Sequence, residues 1–316
     1  MFNWMILFYI LVFPGFLYCF AAGTLLNGID RKIYAKMQKS IGPPILQPFY
    51  DFMKLMGKET IVPAEANKPV YLAAPVVGFV ALVTISLFLP VFGFTAVGGT
   101  ADLIVIIYLL TIPAVALIVG GAASGSPFAG VGVSREMVAV LSYELPLVMV
   151  LLAVGREAGD GAVTFSMANI AAYQAANGAM ITHWSMIPAA IAMLLVVPCE
   201  VGCHPFDVAE AETEICEGPL VEYSGAPLGV FKLNYYVKQL VVSGLFAALF
   251  LGGAGTGILA LDGLIFFAEC LAVTLVSMTL VRAVTARLRV EQVFKFYWTV
   301  VAGLALVSLL LAWFGL

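Results

Sequence analysis

Eight long apolar runs divide the sequence, and each is long enough to cross a bilayer as a helix. A membrane-spanning helix needs about 20 mostly apolar residues. The runs cover roughly residues 4–28, 70–93, 102–122, 136–155, 184–202, 228–252, 263–286 and 292–315. This pattern predicts an all-α, polytopic membrane protein with eight transmembrane helices, which form a single membrane domain over residues 1–316.

The segment at about residues 45–58 has a different pattern, because its apolar positions return with helical spacing among polar ones. The apolar residues on or near one helical face are Leu46, Phe49, Met53 and Met56. A helix of this kind lies along the membrane surface rather than through it. We therefore expect a surface amphipathic helix between the first two spans, and a second short helix at 166–176.

The composition agrees with a bilayer environment. Of the 316 residues, 62% are hydrophobic and 11% are charged, whereas an ordinary soluble domain carries roughly 25% charged residues. The net charge of −4 gives no sign of nucleic-acid binding. The five cysteines are expected to be small packing residues: Cys19, Cys199, Cys203, Cys216 and Cys270. We expect no cofactor or metal site in this chain, because Cys199 and Cys203 lack a second ligand cluster.

Lysine and arginine are distributed unequally over the two sides of an eight-span chain. Of these 15 residues, only Arg156 falls on the side of the even-numbered connections, and the rest lie in or beside the odd-numbered ones. Cytoplasmic segments carry an excess of these residues. The asymmetry predicts a multi-pass protein of the cell membrane, with residues 31–69 and 282–295 in the cytoplasm and residues 156–183 and both termini outside.

The connection after the fifth span, at about residues 203–227, is rich in acidic residues. No lysine or arginine occurs between Arg156 and Lys232. The acids in and beside this connection are Glu200, Asp207, Glu210, Glu212, Glu214, Glu217 and Glu222. A helix through the connection would align four of them on one face. These four are Asp207, Glu210, Glu214 and Glu217, with spacings of 3, 4 and 3.

Two interpretations of this acidic connection remain open. Closely packed carboxylates raise one another's pKa, so the group could hold and release protons near neutral pH as a coupled set. The connection could instead be a solvated acidic loop, although Phe206 and Ile215 are too apolar for full solvation. We expect the negative charge to be offset by a partner subunit or by Arg282, Arg287 and Arg289.

Acidic residues inside the spans are a separate signal, because a charge at bilayer depth is costly and usually faces a bundle interior or water. Glu144 lies in the middle of the fourth run, two residues before Pro146, which frees backbone carbonyls and permits a kink. With Ser142 and Tyr143 beside it, Glu144 is a candidate proton-relay residue. Glu269 is a weaker candidate, because it can lie near an end of the seventh span.

The sequence lacks the motifs of a catalytic chain. It has no Walker loop, no GxGxxG after a strand, no cysteine-rich cluster motif and no Ser–His–Asp set. Its only histidines are His183 and His204. We therefore expect no bond chemistry in this chain, which could still be a non-catalytic subunit of an oxidoreductase complex.

Four stretches of the sequence resemble one known family, in the same order. They are "RKIYAKMQKSIGPPILQPFYDFMKLMGKE" (31–59), "SYELPL" (142–147), "PFDVAEAETEICEGPLVEYSG" (205–225) and "ARLRVEQ" (286–292). They are similar to subunit 1 of respiratory NADH:quinone oxidoreductase and to its relatives in membrane-bound [NiFe] hydrogenases. The resemblance implies eight spans and a surface helix that dock a redox arm onto a membrane arm. It also implies that the acidic loop and the buried glutamate couple electron transfer to ion movement.

Departures from the quinone-reducing branch favour the group 4, energy-converting hydrogenases. The turn "GPP" at 42–44 runs directly into "ILQP" at 45–48, where the quinone branch typically has a longer loop. "GCH" precedes "PFD", where the quinone branch usually has an arginine, and "EGPLVEYSG" at 217–225 looks like the hydrogenase branch. The resemblance implies proton or sodium translocation, with a [NiFe] centre and [4Fe-4S] clusters in partner subunits and no cofactor in this chain.

The resemblance implies two groups of functional residues. The ion-coupling group is Glu144, Glu200, Asp207, Glu210, Glu212, Glu214, Glu217 and Glu222. The docking group is Arg31, Lys32, Gln38, Gln47, Asp51, Lys54, Glu59, Arg282, Arg287, Arg289 and Glu291. The expected partners are the hydrogenase large and small (iron–sulfur) subunits, antiporter-like membrane subunits and the lipid bilayer.

Three rival functions stay open at this point. Two belong to the same class, namely a quinone-site subunit of an NADH:quinone oxidoreductase-like complex and a subunit of a related sulfur-reducing complex. The third is a stand-alone ion transporter. Such transporters often show symmetry between chain halves and broken helices at the midplane, and neither is evident in this sequence.

Overall fold

A computed structural model describes residues 4–90, 98–100, 102–159, 162–252 and 259–315. Within these residues, eight helical segments are long and apolar enough to cross a membrane, which confirms the predicted number. They are Leu7–Met37, Lys68–Phe88, Asp102–Ala123, Pro127–Glu157, Trp184–Val201, Gly225–Leu251, Leu261–Val284 and Val290–Phe314. The described residues form helices and turns but no strand, so the predicted all-α class is confirmed.

The spans and the segments beside them are built from α-helices and short π-helical turns. The first seven helices are α1 (Trp4–Leu11), α2 (Phe16–Met37), α3 (Gln47–Met56), α4 (Lys68–Phe88), α5 (Asp102–Ala123), α6 (Pro127–Glu157) and α7 (Met167–Asn177). The others are α8 (Ile187–Val201), α9 (Glu212–Ile215), α10 (Gly225–Phe246), α11 (Leu259–Thr274), α12 (Leu280–Val284), α13 (Val290–Phe296) and α14 (Ala302–Phe314). Five-residue π-helical turns continue or join helices in the last three spans, at Ala247–Leu251, Leu275–Thr279 and Tyr297–Val301.

Two spans are longer than their apolar runs. The helix α2 continues to Met37, because its polar end is rich in good helix formers such as lysine and arginine. The helix α6 begins at Pro127, where proline at the first helical position is favourable. Arg135 lies inside α6, and its charge is the reason that the apolar run begins later than the helix, at Glu136.

The helix α10 forms the centre of the bundle. Of the residues in the most apolar stretch of its span, 94% are buried, and α10 packs on α2, α4, α8 and α11. Gly23 of α2 permits a close approach, because a Cβ added there would lie 3.0 Å from the Tyr236 carbonyl oxygen. Polar side chains of α10 therefore lie inside the protein: Asn234, Lys238, Gln239 and Ser243.

The predicted surface helix is present as α3, but it is anchored through a different face from the one defined by the sequence pattern. Leu55 and Phe52 lie against Gly229 of α10, and the Phe52 ring also meets the Phe20 ring of α2 with centroids 5.3 Å apart. The residues of the predicted apolar face are exposed: Leu46, Phe49, Met53 and Met56. One face thus fixes α3 to the bundle. The other face contacts the bundle through the Phe49 ring, which meets the Phe20 ring, and is otherwise exposed to lipid or a partner.

The connection after the fifth span does not form the continuous helix that would align the four acids. Residues 202–224 form turns, the one-turn helix α9 and a 3₁₀ turn at Gly218–Leu220. Cys216 and Glu217 have φ angles of 51° and 70°, in the left-handed region, which ends α9 before Glu217. The connection folds back onto the bundle through buried residues: Phe206, Val208, Ala211, Ile215 and Leu220. Burial of these apolar residues overrides the helical spacing of the acids.

Hydrogen bonds between connections show which connections lie on the same side of the bundle. On the odd-numbered side, the Leu288 N–H donates to the Pro205 carbonyl at 3.2 Å. On the even-numbered side, the Leu103 N–H donates to the Phe165 carbonyl at 2.9 Å. The second predicted short helix lies on the even-numbered side as α7. Odd-numbered connections thus meet one another, as eight crossings require.

Candidate functional site

A cavity of about 70 Å³ lies between α5, α6, α8 and α10, beside the connection 202–224. We refer to it as the charged cavity, because four carboxyl groups and one amino group line it: Glu136, Glu200, Asp207, Glu210 and Lys238. A cavity needs roughly 10–15 Å³ of such volume to hold one water molecule. The charged cavity thus has room for a few water molecules between buried acids and a lysine.

Lys238 and Glu200 form a buried ion pair in the wall of the charged cavity. The Lys238 Nζ lies 2.9 Å from the Glu200 Oε1, and the two side chains are 9% and 2% exposed. The sequence pattern places Lys238 near the start of the sixth span, but it lies in the middle third of Gly225–Leu251. A lysine and a glutamate at this depth offset each other's charge, so the loss of one charge leaves the other buried without compensation.

Glu136 belongs to the site, although the sequence pattern does not identify it. It lies on α6 and lines the charged cavity, but the apolar run begins at this residue, so Glu136 resembles a span boundary. The sequence feature that could have indicated Glu136 is its spacing of seven residues from Tyr143, which puts both side chains on one helical face. Tyr143 is buried and interacts electrostatically with Glu136 and Glu200.

Asp207 connects the acidic connection to the seventh one. Its carboxylate accepts two hydrogen bonds from Arg287, 3.1 Å from Nε and 2.6 Å from Nη2. The Nδ1 of His204 lies 2.7 Å from the same carboxylate. Arg287 was one of the residues expected to offset the acids, and it does so as a bidentate pair, which is the strong form of this interaction.

Glu210 has the properties expected of a group that titrates near neutral pH. Burial is the main cause, followed by the charges of Glu136, Glu217 and Asp207, and together they raise the pKa of Glu210 from 4.5 to about 8. Lys232 opposes this shift. The sequence prediction of a raised pKa within a coupled acidic set therefore applies to Glu210, which faces the charged cavity.

Glu214 points away from the charged cavity into a surface hollow of about 380 Å³. We call it the arginine hollow, because three arginines line it: Arg135, Arg287 and Arg289. The Arg135 Nη1 donates to the Glu214 Oε2 at 2.6 Å and lowers the pKa of Glu214. The sequence pattern gives no indication of this role for Arg135. Within the described part of the chain, Arg289 has no ion pair.

The remaining acids of the connection are distributed rather than aligned. Glu217 affects the site through its charge, which helps to raise the pKa of Glu210. The backbone carbonyl of Glu222 accepts a hydrogen bond from the Tyr71 hydroxyl at 2.7 Å, and Glu222 does not line the charged cavity. Glu212 begins α9, and its side chain lies outside the described part of the structure.

Two acids inside the spans lie outside the charged cavity. Glu144 is half-buried on α6, which continues through Pro146 as a helix. It interacts electrostatically with Glu200, and the neighbouring Leu141 and Leu145 are exposed. Glu144 thus lies between the acids of the cavity and the outer surface. Glu269 lies about two turns inside its span rather than at its end, and its Oε2 is buried without a hydrogen-bond partner.

The predicted docking residues differ in how far the chain itself engages them. Six have side-chain hydrogen bonds within the chain: Arg31, Gln38, Gln47, Asp51, Arg282 and Arg287. The Arg31 Nη1 lies 3.4 Å from the Asp51 Oδ2, and the Gln47 Nε2 donates to the Asp51 Oδ1 at 2.8 Å. Lys32 and Arg287 are half-buried. Those exposed on the odd-numbered side are Gln38, Lys54, Glu59, Arg289 and Glu291.

The fold and the charged cavity define a class of protein: a multi-pass membrane subunit whose buried ionisable groups lie beneath an acidic and arginine-rich surface on one side. The chain belongs to the NADH dehydrogenase family, whose model matches residues 8–313. This match confirms the family that the sequence motifs indicate.

Similar proteins are found in several respiratory and hydrogenase systems. Formate hydrogenlyase subunit 4 of Escherichia coli (strain K12) is 33% identical, over 93% of this chain and 96% of that protein. A subunit of the NADH-quinone oxidoreductase of Thermomicrobium roseum is 32% identical, over 89% of this chain and 87% of that protein. A chain of the membrane-bound sulfane sulfur reductase, an archaeal respiratory membrane complex, has a TM-score of 0.90 and 28% identity. That match covers 98% of this chain and 100% of the other.

Proposed function

We propose that this chain is the membrane anchor and ion-coupling subunit of an energy-converting, membrane-bound [NiFe] hydrogenase complex. Its similarity to formate hydrogenlyase subunit 4 over nearly the full length of both chains supports this proposal. So does hydrogenase-4 component C of Escherichia coli (strain K12), which is 36% identical over 72% of this chain and 70% of that protein. The short "GPPILQP" turn at 42–48 agrees with the same branch.

The charged cavity is the observation that carries the coupling role. It holds the Lys238–Glu200 pair, with Glu136 and Glu210 in the same lining. Glu210 titrates near neutral pH, and Asp207 joins the cavity to Arg287 at the surface. A displacement of the connection 202–224 by a docked redox subunit changes the charges around Glu210. A proton taken up or released at Glu210 then changes the electrostatic field at the Lys238–Glu200 pair.

Glu144 extends this relay toward the next membrane subunit. It is half-buried beside exposed leucines and interacts electrostatically with Glu200. An ionisable group at this depth normally faces a protein interior or water rather than lipid. We therefore assign this outer face of α6 to an antiporter-like membrane subunit, which receives the ion-coupling signal.

The redox partners bind on the odd-numbered side, which we place in the cytoplasm on the lysine and arginine asymmetry. Both termini then lie outside the cell membrane. The exposed face of α3 and the arginine hollow form the docking surface for the hydrogenase large and small subunits. Those subunits hold the [NiFe] centre and the [4Fe-4S] clusters, and this chain supplies no electron carrier.

A quinone-reducing or sulfur-reducing complex is the second candidate. The similarity to the Thermomicrobium roseum oxidoreductase subunit and to the sulfane sulfur reductase favours it. The packing of α3 argues against a wide quinone entrance, because Phe20 and Phe52 meet between α2 and α3. Leu55 also lies against Gly229 of α10. A stand-alone transporter is disfavoured by the docking surface on the odd-numbered side.

Purification of the tagged chain in a mild detergent tests the proposal, with mass spectrometry of the co-purifying subunits and nickel analysis. We expect a nickel-bearing large subunit, an iron–sulfur subunit and antiporter-like subunits. A complex without nickel that reduces quinone or sulfur compounds would replace the hydrogenase assignment with the second candidate. A chain that purifies alone and moves ions in vesicles would overturn both.

A further inference from the structure

A second polar track runs along α10, away from the charged cavity. Lys238 and Gln239 are successive residues of α10, so their side chains leave the helix about 100° apart. Lys238 lines the charged cavity, whereas the Gln239 Oε1 accepts a hydrogen bond from the Asn27 Nδ2 of α2 at 2.8 Å. We call this track the polar seam and define it by Asn27, Asp30, Gln239, Ser243, Thr274, Ser277, Thr279 and Arg282.

Hydrogen bonds join most of the polar seam in two separate sets, namely the Asn27–Gln239 amide pair and a longer set between Arg282 and Ser243. At the odd-numbered side, the Arg282 Nη2 donates to the Asp30 Oδ2 at 3.1 Å, and the Thr279 hydroxyl donates to the Oδ1. The Thr279 hydroxyl also lies 3.4 Å from the Thr274 carbonyl oxygen. The Thr274 and Ser243 hydroxyls are 3.0 Å apart. From Arg282 to Thr274 the seam extends about 12 Å along the span.

The π-helical turn Leu275–Thr279 explains how these side chains share one face. Residues five apart diverge around an α-helix, but a π-helical turn holds five residues and brings Thr274 and Thr279 into line. Such turns occur frequently at functional sites. The turn therefore brings the Thr279 hydroxyl into line with Thr274 and beside the Asp30 carboxylate of α2.

Among the described residues, four polar atoms of the seam are buried without a hydrogen-bond partner: Asn27 Oδ1, Gln239 Nε2, Ser277 Oγ and Arg282 Nε. Asn27, Gln239 and Ser277 are only 2%, 1% and 2% exposed. Exchange of the nitrogen and oxygen positions in both amides leaves the same number of atoms unpaired, because each amide has one acceptor and one NH₂ group. Buried polar groups of this kind typically bind ordered water.

We propose that the polar seam binds a file of water molecules that carries protons from Asp30 toward Thr274, as a route separate from the charged cavity. Water is the ligand because the seam presents both an unpaired acceptor, Asn27 Oδ1, and an unpaired donor, Gln239 Nε2. Arg282 and that NH₂ group disfavour a metal cation. The hydroxyls along the seam both donate and accept, whereas the Thr274 carbonyl only accepts. Bound water therefore carries the proton past this carbonyl, from the Thr279 hydroxyl to the Thr274 hydroxyl.

The conduction of protons rests on the proposed function, whereas the binding of water does not. The test uses the intact purified complex. High-resolution electron cryomicroscopy of the wild type should show ordered water next to Asn27 and Gln239. The double variant N27L/Q239L replaces both amides with apolar side chains of similar size. It should lose these waters and most of the proton transport per electron in vesicles, while electron transfer continues.

Two further variants keep the test decisive. S277A removes one hydroxyl without added bulk and should also lower proton transport per electron. S308A removes a buried hydroxyl that bonds the Ser185 carbonyl outside the seam, and it should change nothing. A dry seam in the wild-type map overturns the proposal, whether or not N27L/Q239L folds. Unchanged proton transport in both seam variants overturns the conduction of protons along the seam. If the wild-type complex shows the waters but moves no protons, only the proposed function is overturned.

Discussion

Lys238 and Glu200 join the two helices α10 and α8 inside the bundle, with the Nζ and Oε1 atoms 2.9 Å apart. Both side chains are almost completely buried, so bulk solvent stabilises neither charge. The charges of this pair therefore affect the ionisation of the surrounding acids. Glu136 and Glu210 share the same cavity, and they respond to any change in this pair.

The first prediction concerns the stability of this pair. K238M leaves Glu200 buried without its counter-charge, which costs about 3–5 kcal/mol when a buried pair is broken. The double variant E200Q/K238M removes both charges and should regain most of the loss. Thermal unfolding of the purified complex measures both effects. K232M removes a half-buried lysine of the same helix and serves as the control. Equal stability of K238M and K232M would contradict a charged buried pair.

The second prediction concerns the pH dependence of stability through Glu210. Its pKa is raised from 4.5 to about 8, so ionisation of this carboxyl opposes folding. The penalty is absent below pH 4.5, grows as the pH rises and is complete above about 8. E210Q should therefore be more stable than the wild type at high pH, with the difference disappearing in acid. The exposed E59Q is the control, and a pH-independent difference for E210Q would refute the shift.

The third prediction compares the two arginines that hold the acidic connection. Arg287 binds Asp207 with two hydrogen bonds, where the side chains are 21% and 13% exposed. Hydrogen bonds to charged groups contribute about 1.5–3 kcal/mol. Arg135 binds Glu214, which is 53% exposed, and an exposed pair contributes little because solvent screens it. R287A should therefore accelerate hydrogen exchange over residues 202–224 much more than R135A. Equal effects would show that the connection is held by its apolar residues instead.

The sequence predicts the eight spans and the two short helices well, because the apolar periodicity of a membrane helix is determined locally. The acidic connection is different, since its conformation depends on tertiary packing. Phe206 and Ile215 are buried against the bundle, and left-handed residues at Cys216 and Glu217 end the short helix. A continuous helix would put four acids on one face. In the structure, Asp207 and Glu210 line the charged cavity, Glu214 lines the arginine hollow and Glu217 lines neither.

The charged cavity is only partly visible in the sequence. The acids Glu200, Asp207 and Glu210 stand out because the connection has no lysine or arginine. Lys238 and Glu136 do not stand out, because each resembles a charge at the end of a span. Their burial depends on the length of α6 and on the central position of α10, and both are properties of the folded bundle.

The fourth prediction concerns the orientation of the chain in the membrane. With cytoplasmic odd-numbered connections, a cysteine at Lys36 lies inside the cell and one at Asn177 lies outside. Both positions are accessible at the ends of their helices, and Asn177 is exposed. An impermeant thiol reagent on whole cells should label N177C and not K36C, in a background where the exposed Cys216 is replaced by serine. Permeabilised cells provide the control, since both positions should then react. Preferential labelling of K36C on whole cells would reverse the orientation.

The last prediction concerns Glu144 as the outer member of the relay. It lies on a different face of α6 from Glu136, half-buried beside exposed leucines, so its substitution should leave the charged cavity and the bundle intact. E144Q retains the shape and polarity of the side chain and removes its proton exchange. The complex should assemble and transfer electrons, while ion transport per electron falls sharply in vesicles. E222Q, which changes an acid outside the cavity, should leave transport unchanged. If E144Q assembles and transports ions as the wild type does, Glu144 has a structural role and the relay must leave the cavity by another path.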